Sequence, residues 1–171
     1  MFDGFEFAGL PGDYQSPEEN GGSFFENALI KAKAAAEAFG LPALADDSGL
    51  EVACLDGRPG IYSSRYGGED TGFDRKMDLL LEEVGGKSDR SANFTCFAVL
   101  CFPDGHYIAE SGRLFGEIAK QKRGGKGFGY DPVFQLPDGR TLAELTPDEK
   151  NSISHRAVAM RRLLDRLMEE K

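Results

Sequence analysis

Several residue types are scarce in this sequence, and their scarcity limits what the chain can do. The 171 residues include no tryptophan, two histidines and three cysteines. Two histidines cannot form a histidine-rich metal site alone, and Cys54, Cys96 and Cys101 contain no CxxC pair. An odd number of cysteines in apolar stretches is typical of reduced, buried thiols, so we expect a cytoplasmic location.

Positive charge and long apolar runs are scarce as well. Twenty Lys and Arg face 29 Asp and Glu, a net charge of −9, which argues against broad binding to nucleic acid or to an anionic membrane. No apolar run is long enough to span a bilayer. The length and the 40% hydrophobic content suit one domain with a substantial core, which we predict over residues 1–171.

Apolar periodicity predicts alternating helices and strands, and therefore an α/β fold. The first helix should cover Ser23–Phe39, because Ser23 and Glu26 form a capping box and Gly40 is a typical C-terminal cap. Residues 1–7 alternate as in a strand, and residues 9–22 have the composition of a loop. Later helices are predicted over residues 73–84, from Thr146 and through residues 157–168, and strands over residues 92–102, 106–118 and 133–136.

The most informative stretch is residues 41–52. An apolar run leads into Asp46 and Asp47, and Ser48 with Gly49 predicts a turn directly after them. If both carboxylates face one site, they repel each other unless a cation lies between them, and Mg²⁺ prefers such oxygen ligands. The alternative is a solvated turn without a ligand.

A basic, glycine-rich segment, residues 120–127, is unusual in an acidic protein. Its cationic side chains and backbone N–H groups suit phosphate, although its order of glycine and lysine is not that of a Walker A loop. Taken alone, such a segment is more often a mobile surface loop.

The next segment, residues 128–132, places aromatic rings beside glycine. Phe128 could stack on a nucleobase, or Phe128 and Tyr130 could pack inside as the entry to a strand. Further on, Arg156 can bind phosphate or a ring carbonyl, and His155 can donate to a purine carbonyl oxygen. A single histidine at a helix start is, however, usually structural or solvated.

Five stretches that occur together and in order resemble the inosine-triphosphate pyrophosphatase family, which removes non-canonical purine nucleotides from the nucleotide pool. They are Phe25–Ala32, Ala45–Leu50, Pro59–Tyr66, Gly127–Pro132, and Lys150 followed by Ser154–Arg156. Each is weak alone, but five in register are specific, and the resemblance extends from about Phe5 to the end of the chain.

The resemblance implies a two-lobed α/β fold with a long, mixed central sheet flanked by helices and a ligand cleft between the lobes. It also implies a homodimer that hydrolyses dITP, ITP and XTP to the monophosphate and pyrophosphate with Mg²⁺. Asp47 corresponds to the general base and, with Glu26, to the metal ligands, whereas Asp46 would support or share the metal. The implied substrate contacts are Ser48, Phe128, Gly129, Tyr130, Asp131, Lys150, His155 and Arg156.

One part of the family pattern is missing from this sequence. Family members begin with a strand that ends in a Ser/Thr-x-Asn-x-x-Lys loop, which grips the triphosphate, and this sequence has no such motif. We therefore expect a fold without its first β-α unit, and a catalytically impaired remnant that binds nucleotide or dimerises is the alternative to an active enzyme. A pyrophosphatase for modified pyrimidine nucleotides is a third possibility, against which residues 154–156 argue.

Overall fold

The structure, a computed structural model, describes residues 6–169, so most of the strand predicted over residues 1–7 lies outside the described residues. Residues 8–22 precede the first helix as an irregular segment. The helices are α1 (Phe24–Phe39), α2 (Phe73–Glu83), α3 (Pro147–Ile153) and α4 (His155–Glu169). The strands are β1 (Ala43–Val52), β2 (Ser91–Cys101), β3 (Tyr107–Ile118) and β4 (Phe134–Gln135).

The four strands form one sheet in the order β1-β2-β3-β4. Every neighbouring pair among the described strands is antiparallel, so the α/β class is confirmed but the sheet is not mixed within residues 6–169. The tight turn at residues 103–105 joins β2 to β3 as a hairpin, and this connection requires antiparallel strands.

Strand β1 continues straight through the two aspartates. Each residue from Ala43 to Val52 pairs with a residue of β2, and Gly49 lies opposite Thr95. The turn predicted at Ser48 and Gly49 is therefore wrong. The chain reverses later, after a short 3₁₀-helix, where Asp56 adopts a left-handed conformation with φ of 55°. Ten cross-strand pairs outweigh the local turn preference of serine and glycine.

Helices α1 and α4 cover opposite faces of the sheet. Helix α1 packs through Ala28, Ala32 and Ala36, whose small side chains allow a close approach to Val99. Helix α4 approaches β3 still more closely at Gly112, where an added Cβ would lie 2.1 Å from the His155 carbonyl oxygen. Backbone contact at this glycine therefore fixes the position of the first turn of α4.

A separate apolar cluster lies at the C-terminal end of β1 and includes residues of that strand. It combines α2 with the segment around β4 and includes the buried residues Leu50, Leu80, Val84, Val133, Phe134 and Leu142. The clusters under α1 and α4 occupy the other end of the sheet. This division of the core agrees with two lobes. Within residues 6–169, no helix has the length and apolar character needed to cross a membrane.

Candidate functional site

The adjacent carboxylates Asp46 and Asp47 lie on opposite faces of the sheet. Successive side chains of a strand alternate between its faces, and both residues belong to the continuous strand β1. Asp47 contacts Asn27 and Lys31 of α1, whereas Asp46 contacts Arg156 of α4. The expectation that both carboxylates face one cation is therefore corrected.

Asp47 is enclosed by residues from α1 and from the irregular segment before it. Its two carboxylate oxygens each lie 3.2 Å from a nitrogen, one from Asn27 Nδ2 and the other from Lys31 Nζ. Lys31 Nζ also lies 3.1 Å from Glu19. Burial raises the pKa of Asp47, and this effect outweighs the hydrogen bonds and the positive charge of Lys31, which lower it. A raised pKa is the tuning that a carboxylate general base needs.

Glu26, the predicted second metal ligand, does not contact Asp47. Its carboxylate accepts a hydrogen bond of 2.6 Å from the backbone N–H of Gly22, so it serves the start of α1. Glu19 is the carboxylate that shares Lys31 with Asp47. Its position in an irregular segment without periodicity explains why the sequence did not indicate it.

Asn27 and Lys31 also contact Asp47, although the sequence predicts no role in the site for them, because both fit the pattern of helix α1. Asn27 is fully buried, and its carbonyl oxygen accepts from Gly21 N–H at 2.8 Å, which turns its amide nitrogen towards Asp47. Lys31 lies one helical turn further along the same face. The sequence signal that could have identified them is the pair of polar residues Asn27 and Lys31 at i, i+4 spacing, which places both on one side of α1.

The donor set around Asp47 is compatible with a hard divalent cation. Asp47 and Glu19 converge on a single ammonium nitrogen and offer carboxylate oxygens, the ligands that Mg²⁺ prefers. Within residues 6–169, no group of three or more His, Cys, Asp or Glu side chains is arranged around a metal position. Two carboxylates suffice for Mg²⁺ when water and substrate phosphates supply the other ligands.

On the opposite face, Asp46 holds the guanidinium of Arg156. Arg156 Nε donates to Asp46 Oδ2 at 2.9 Å, and the same oxygen receives Ser48 Oγ at 3.0 Å. The thiol of Cys96 lies beneath it at 3.5 Å, and burial together with the charge of Asp46 raises the pKa of Cys96 to about 12. Ser48 therefore lies with Asp46 and not with Asp47.

His155 lies beside this ion pair at the first position of α4. Its ring stacks on Phe94 with centroids 4.8 Å apart, and its buried Nδ1 finds no hydrogen-bond partner among the described residues. Burial and the nearby charges of Arg156 and Lys150 lower the pKa of His155 to about 4. The imidazole is therefore neutral at pH 7, with one ring nitrogen that can donate a hydrogen bond and one that can accept.

Lys150, Asp131 and Phe128 form a third part of the site. Asp131 is 3% exposed, and its carboxylate binds the Lys150 ammonium and accepts from Phe128 N–H at 2.8 Å. Lys150 Nζ lies 4.2 Å from the centroid of the Phe128 ring, a cation–π contact, and Phe128 is 68% exposed. An exposed, oriented ring is suited to stacking on a planar ligand.

Tyr130 and Gly129, the other predicted substrate contacts in residues 128–132, stabilise the fold of this segment. Tyr130 is buried, and its hydroxyl donates to the carbonyl of Ser63 at 3.0 Å, so the alternative of inward packing holds for this ring. Gly129, with φ of 64°, has the left-handed backbone that lets the chain turn between the exposed and the buried ring.

The basic segment over residues 120–127 is held by the protein itself. Lys122 Nζ lies 2.6 Å from Asp74 and 2.7 Å from Asp78, and Arg123 donates to Gln135 at 3.1 Å. Two of its cations are therefore occupied, which weakens the prediction of a phosphate loop.

Two open hollows in the described part of the chain do not include the residues predicted to bind substrate or metal. The first, of about 400 Å³, is lined by residues that include Tyr62. The second, of about 430 Å³, is lined by residues that include Arg90 and, from the basic segment, Lys120 and Arg123. Electrostatics nevertheless connects the two faces of β1. Although burial opposes its charge, Asp46 raises the pKa of Arg156, and Cys96 and Asp47 raise it to a smaller extent.

Known proteins resemble this chain over most of its length. The chain is 52% identical over 159 residues to a protein of Rhodospirillum centenum named dITP/XTP pyrophosphatase, covering 90% of this chain and 78% of the relative. A protein of the same name from Deinococcus deserti is 50% identical over 151 residues, covering 87% of this chain and 72% of the relative.

A solved structure of a HAM1 protein from Coxiella burnetii superposes with a TM-score of 0.87 at 46% identity, covering 91% of this chain and 81% of that one. The two-lobed fold inferred from the resemblance is thereby confirmed. The sequence profile of the Ham1 family matches residues 3–166, and the chain belongs to this family.

Proposed function

We propose that this protein hydrolyses non-canonical purine nucleoside triphosphates, dITP, XTP and ITP, to the monophosphate and pyrophosphate. The observation that carries the proposal is the 52% identity, over 159 residues, to a protein named dITP/XTP pyrophosphatase. The geometry of the candidate site supports the same reaction, because adjacent residues of β1 hold a buried carboxylate on one face of the sheet and a cluster of base-recognition groups on the other.

Asp47 is the proposed general base. It accepts a proton from a water molecule whose oxygen attacks the α-phosphorus, and the bond from that phosphorus to the oxygen of the leaving pyrophosphate breaks. Lys31, held between Asp47 and Glu19, supplies an ammonium group that can bind a phosphate oxygen when substrate binds. Asn27 keeps the Asp47 carboxylate in place through its buried amide.

Recognition of the base is assigned to the segments that meet at the start of α4. Phe128 stacks on the purine, and His155 and Arg156 donate hydrogen bonds to its 6-keto oxygen. The segment that presents Phe128 is held by the turn at Gly129, the buried ring of Tyr130 and the contacts of Asp131 with Phe128 N–H and Lys150. Ser48 is a further proposed substrate contact. A site that depends on hydrogen bonds to one group can reject an analogue without that group by roughly 10⁴-fold.

We further propose Mg²⁺ as the cofactor and Asp47 and Glu19 as the residues that would hold it. Glu26, the second ligand implied by the family resemblance, is the alternative to Glu19. When bound, Mg²⁺ neutralises charge on the phosphate oxygens. The proposed setting is a cytoplasmic homodimer. Free Cys54, Cys96 and Cys101 agree with a reducing compartment.

The direct test is pyrophosphate release from dITP, XTP, dATP and dGTP with Mg²⁺, with separation of the nucleotide products. We expect dIMP and pyrophosphate from dITP, at a rate at least about 100-fold above that from dATP. Release of inorganic phosphate and dIDP instead would contradict attack at the α-phosphorus.

The matched variants are Asp47→Asn and, as a control, Asp104→Asn in the exposed hairpin turn. Loss of the general base should reduce turnover of dITP by roughly 10²–10⁴-fold, while Asp104→Asn keeps the wild-type rate. A wild-type protein that binds dITP without turnover would support the impaired remnant. Preferential hydrolysis of modified pyrimidine nucleotides would favour the third possibility.

A further inference from the structure

We propose that Asp46 is a positioning residue, which holds Arg156 for purine recognition and thereby sets the discrimination between 6-keto and 6-amino purines. The inference deepens the proposed function and rests on it. Its starting point is the separation of Asp46 from Asp47 by the sheet, which removes Asp46 from the chemistry at the phosphate.

Asp46 is itself held rigidly. A single oxygen, Oδ2, receives donors from Arg156 at 2.9 Å and from Ser48 at 3.0 Å, and the Cys96 thiol approaches the same atom at 3.5 Å. The Asp46 side chain is 21% exposed. A carboxylate with neighbours on several sides cannot rotate freely, so it can define where its partner lies.

Arg156 needs such a partner. It is the second residue of α4, where the positive end of the helix dipole disfavours a cation, and its side chain is 46% exposed. An arginine without a partner at such a position can occupy many rotamers. The ion pair with Asp46 uses Nε of Arg156. The two terminal nitrogens of the guanidinium group can donate hydrogen bonds to a carbonyl oxygen of the ligand.

His155 makes the placement of Arg156 consequential. Its ring is already fixed by the stack on Phe94, and its backbone carbonyl lies against Gly112. Two donors that bind one keto oxygen discriminate between purines well only if both side chains are fixed in position. Packing against Phe94 fixes His155, and the ion pair with Asp46 fixes Arg156.

The experiment measures kcat and KM for dITP and dATP in wild type, Asp46→Asn and Asp46→Glu. We expect Asp46→Asn to raise KM for dITP by roughly 10-fold, to change kcat by less than about 3-fold, and to lower the dITP/dATP preference by roughly 10-fold. Asp46→Glu keeps the charge and should recover part of the preference.

The matched control is Glu110→Gln, which breaks another ion pair between α4 and the sheet, Arg166–Glu110 at 3.2 Å. Asp46→Asn behaving like Glu110→Gln would overturn the proposal. A fall in kcat at unchanged KM would also overturn it, because Asp46 would then act with Asp47 on the chemistry. If Asp46→Asn does not fold, Asp46→Glu alone must still show a reduced preference, and unchanged constants for that variant would overturn the role.

A double-mutant comparison isolates the pair. In an Arg156→Gln background, Asp46→Asn should cause no further loss of preference, and independent, additive losses would overturn the proposal. Calorimetric affinities for dIMP and dAMP without Mg²⁺ separate this test from the proposed function. If wild type shows no turnover but binds dIMP more tightly than dAMP, the proposed hydrolysis is wrong, and the role of Asp46 is then tested by the binding preference of its variants. If wild type binds dIMP and dAMP equally, both the proposed function and the role of Asp46 are overturned.

Discussion

The two faces of β1 use the same residue type in different ways. On the α1 face, Asp47 is enclosed by an amide and an ammonium group, and burial raises its pKa. On the α4 face, Asp46 forms an ion pair with Arg156 beside a serine hydroxyl. The difference shows that two neighbouring aspartates take their chemistry from the helices that cover them and not from their common sequence context.

The strongest test of this comparison changes how α4 sits on the sheet. Gly112→Ala would place a Cβ 2.1 Å from the His155 carbonyl oxygen and 2.6 Å from Ala159 N, so backbone must move. We expect a loss of about 3 kcal/mol in the free energy of unfolding, measured by urea denaturation. Gly125→Ala is the control, since no atom lies within 4 Å of its added Cβ. Equal stability of the two variants would mean that α4 is not seated on Gly112.

The second test asks which carboxylate belongs with Asp47. Glu19→Gln should lower kcat/KM for dITP by roughly 100-fold, because Glu19 shares Lys31 with Asp47 and is a proposed metal ligand. Glu26→Gln should have a much smaller effect, since Glu26 contacts the Gly22 N–H, and exposed Glu18→Gln should have none. The reverse ranking of Glu19→Gln and Glu26→Gln would restore the ligand pair suggested by the sequence.

The α4 face should also determine part of the pH dependence of stability. The folded-state pKa of His155, about 4, lies below its ordinary value of 6.5, so the unfolded chain binds the proton more readily. Stability should therefore fall as the pH drops from about 6.5 towards 4, by about 2 kcal/mol. Urea denaturation from pH 7.5 to pH 4 measures it.

His155→Asn should remove most of that loss, and His106→Asn, in the exposed turn before β3, is the control. An unchanged pH dependence in His155→Asn would assign the loss to other groups.

The smallest expected effect concerns the α1 face. Burial raises the pKa of Asp47, and Lys31 opposes this rise, so removing the ammonium group should raise that pKa further. In Lys31→Met, the acid limb of the kcat/KM profile for dITP should move to higher pH. Lys33→Met, two residues along α1 with a side chain that is 59% exposed, should leave the limb in place. If the acid limb of the pH profile does not move in Lys31→Met, the charge of Lys31 does not influence the ionisation of Asp47.

Much of the architecture was predictable from local patterns. The N-cap at Ser23, whose hydroxyl accepts from Glu26 N–H, and the glycine at residue 40 delimit α1, although the Glu26 carboxylate binds Gly22 N–H and so does not complete the predicted capping box. The apolar residues on both faces of β2 mark a central strand. The family resemblance carried by five short stretches is confirmed over residues 3–166. These features depend on neighbours in sequence, which explains why they could be recognised without coordinates.

The roles of individual polar residues were less accessible. Glu19 lies in a segment without periodicity, and only the fold brings it to Lys31. Asn27 and Lys31 fitted a helical pattern, so their inward polar contacts were hidden by a correct secondary-structure assignment. The turn expected at Ser48 and Gly49 was wrong because pairing with β2 is not a local property.

By itself, the sequence determined the family, the order of helices and strands, and the presence of two acidic residues in a strand-like run, because these follow from short-range chemistry and motif spacing. Only the tertiary structure decided that Asp46 and Asp47 lie on opposite faces, and which cation each one meets. The physical reason is that a strand alternates its side chains regardless of their identity, while the partners come from helices more than 100 residues apart in the chain, as Lys31 and Arg156 are.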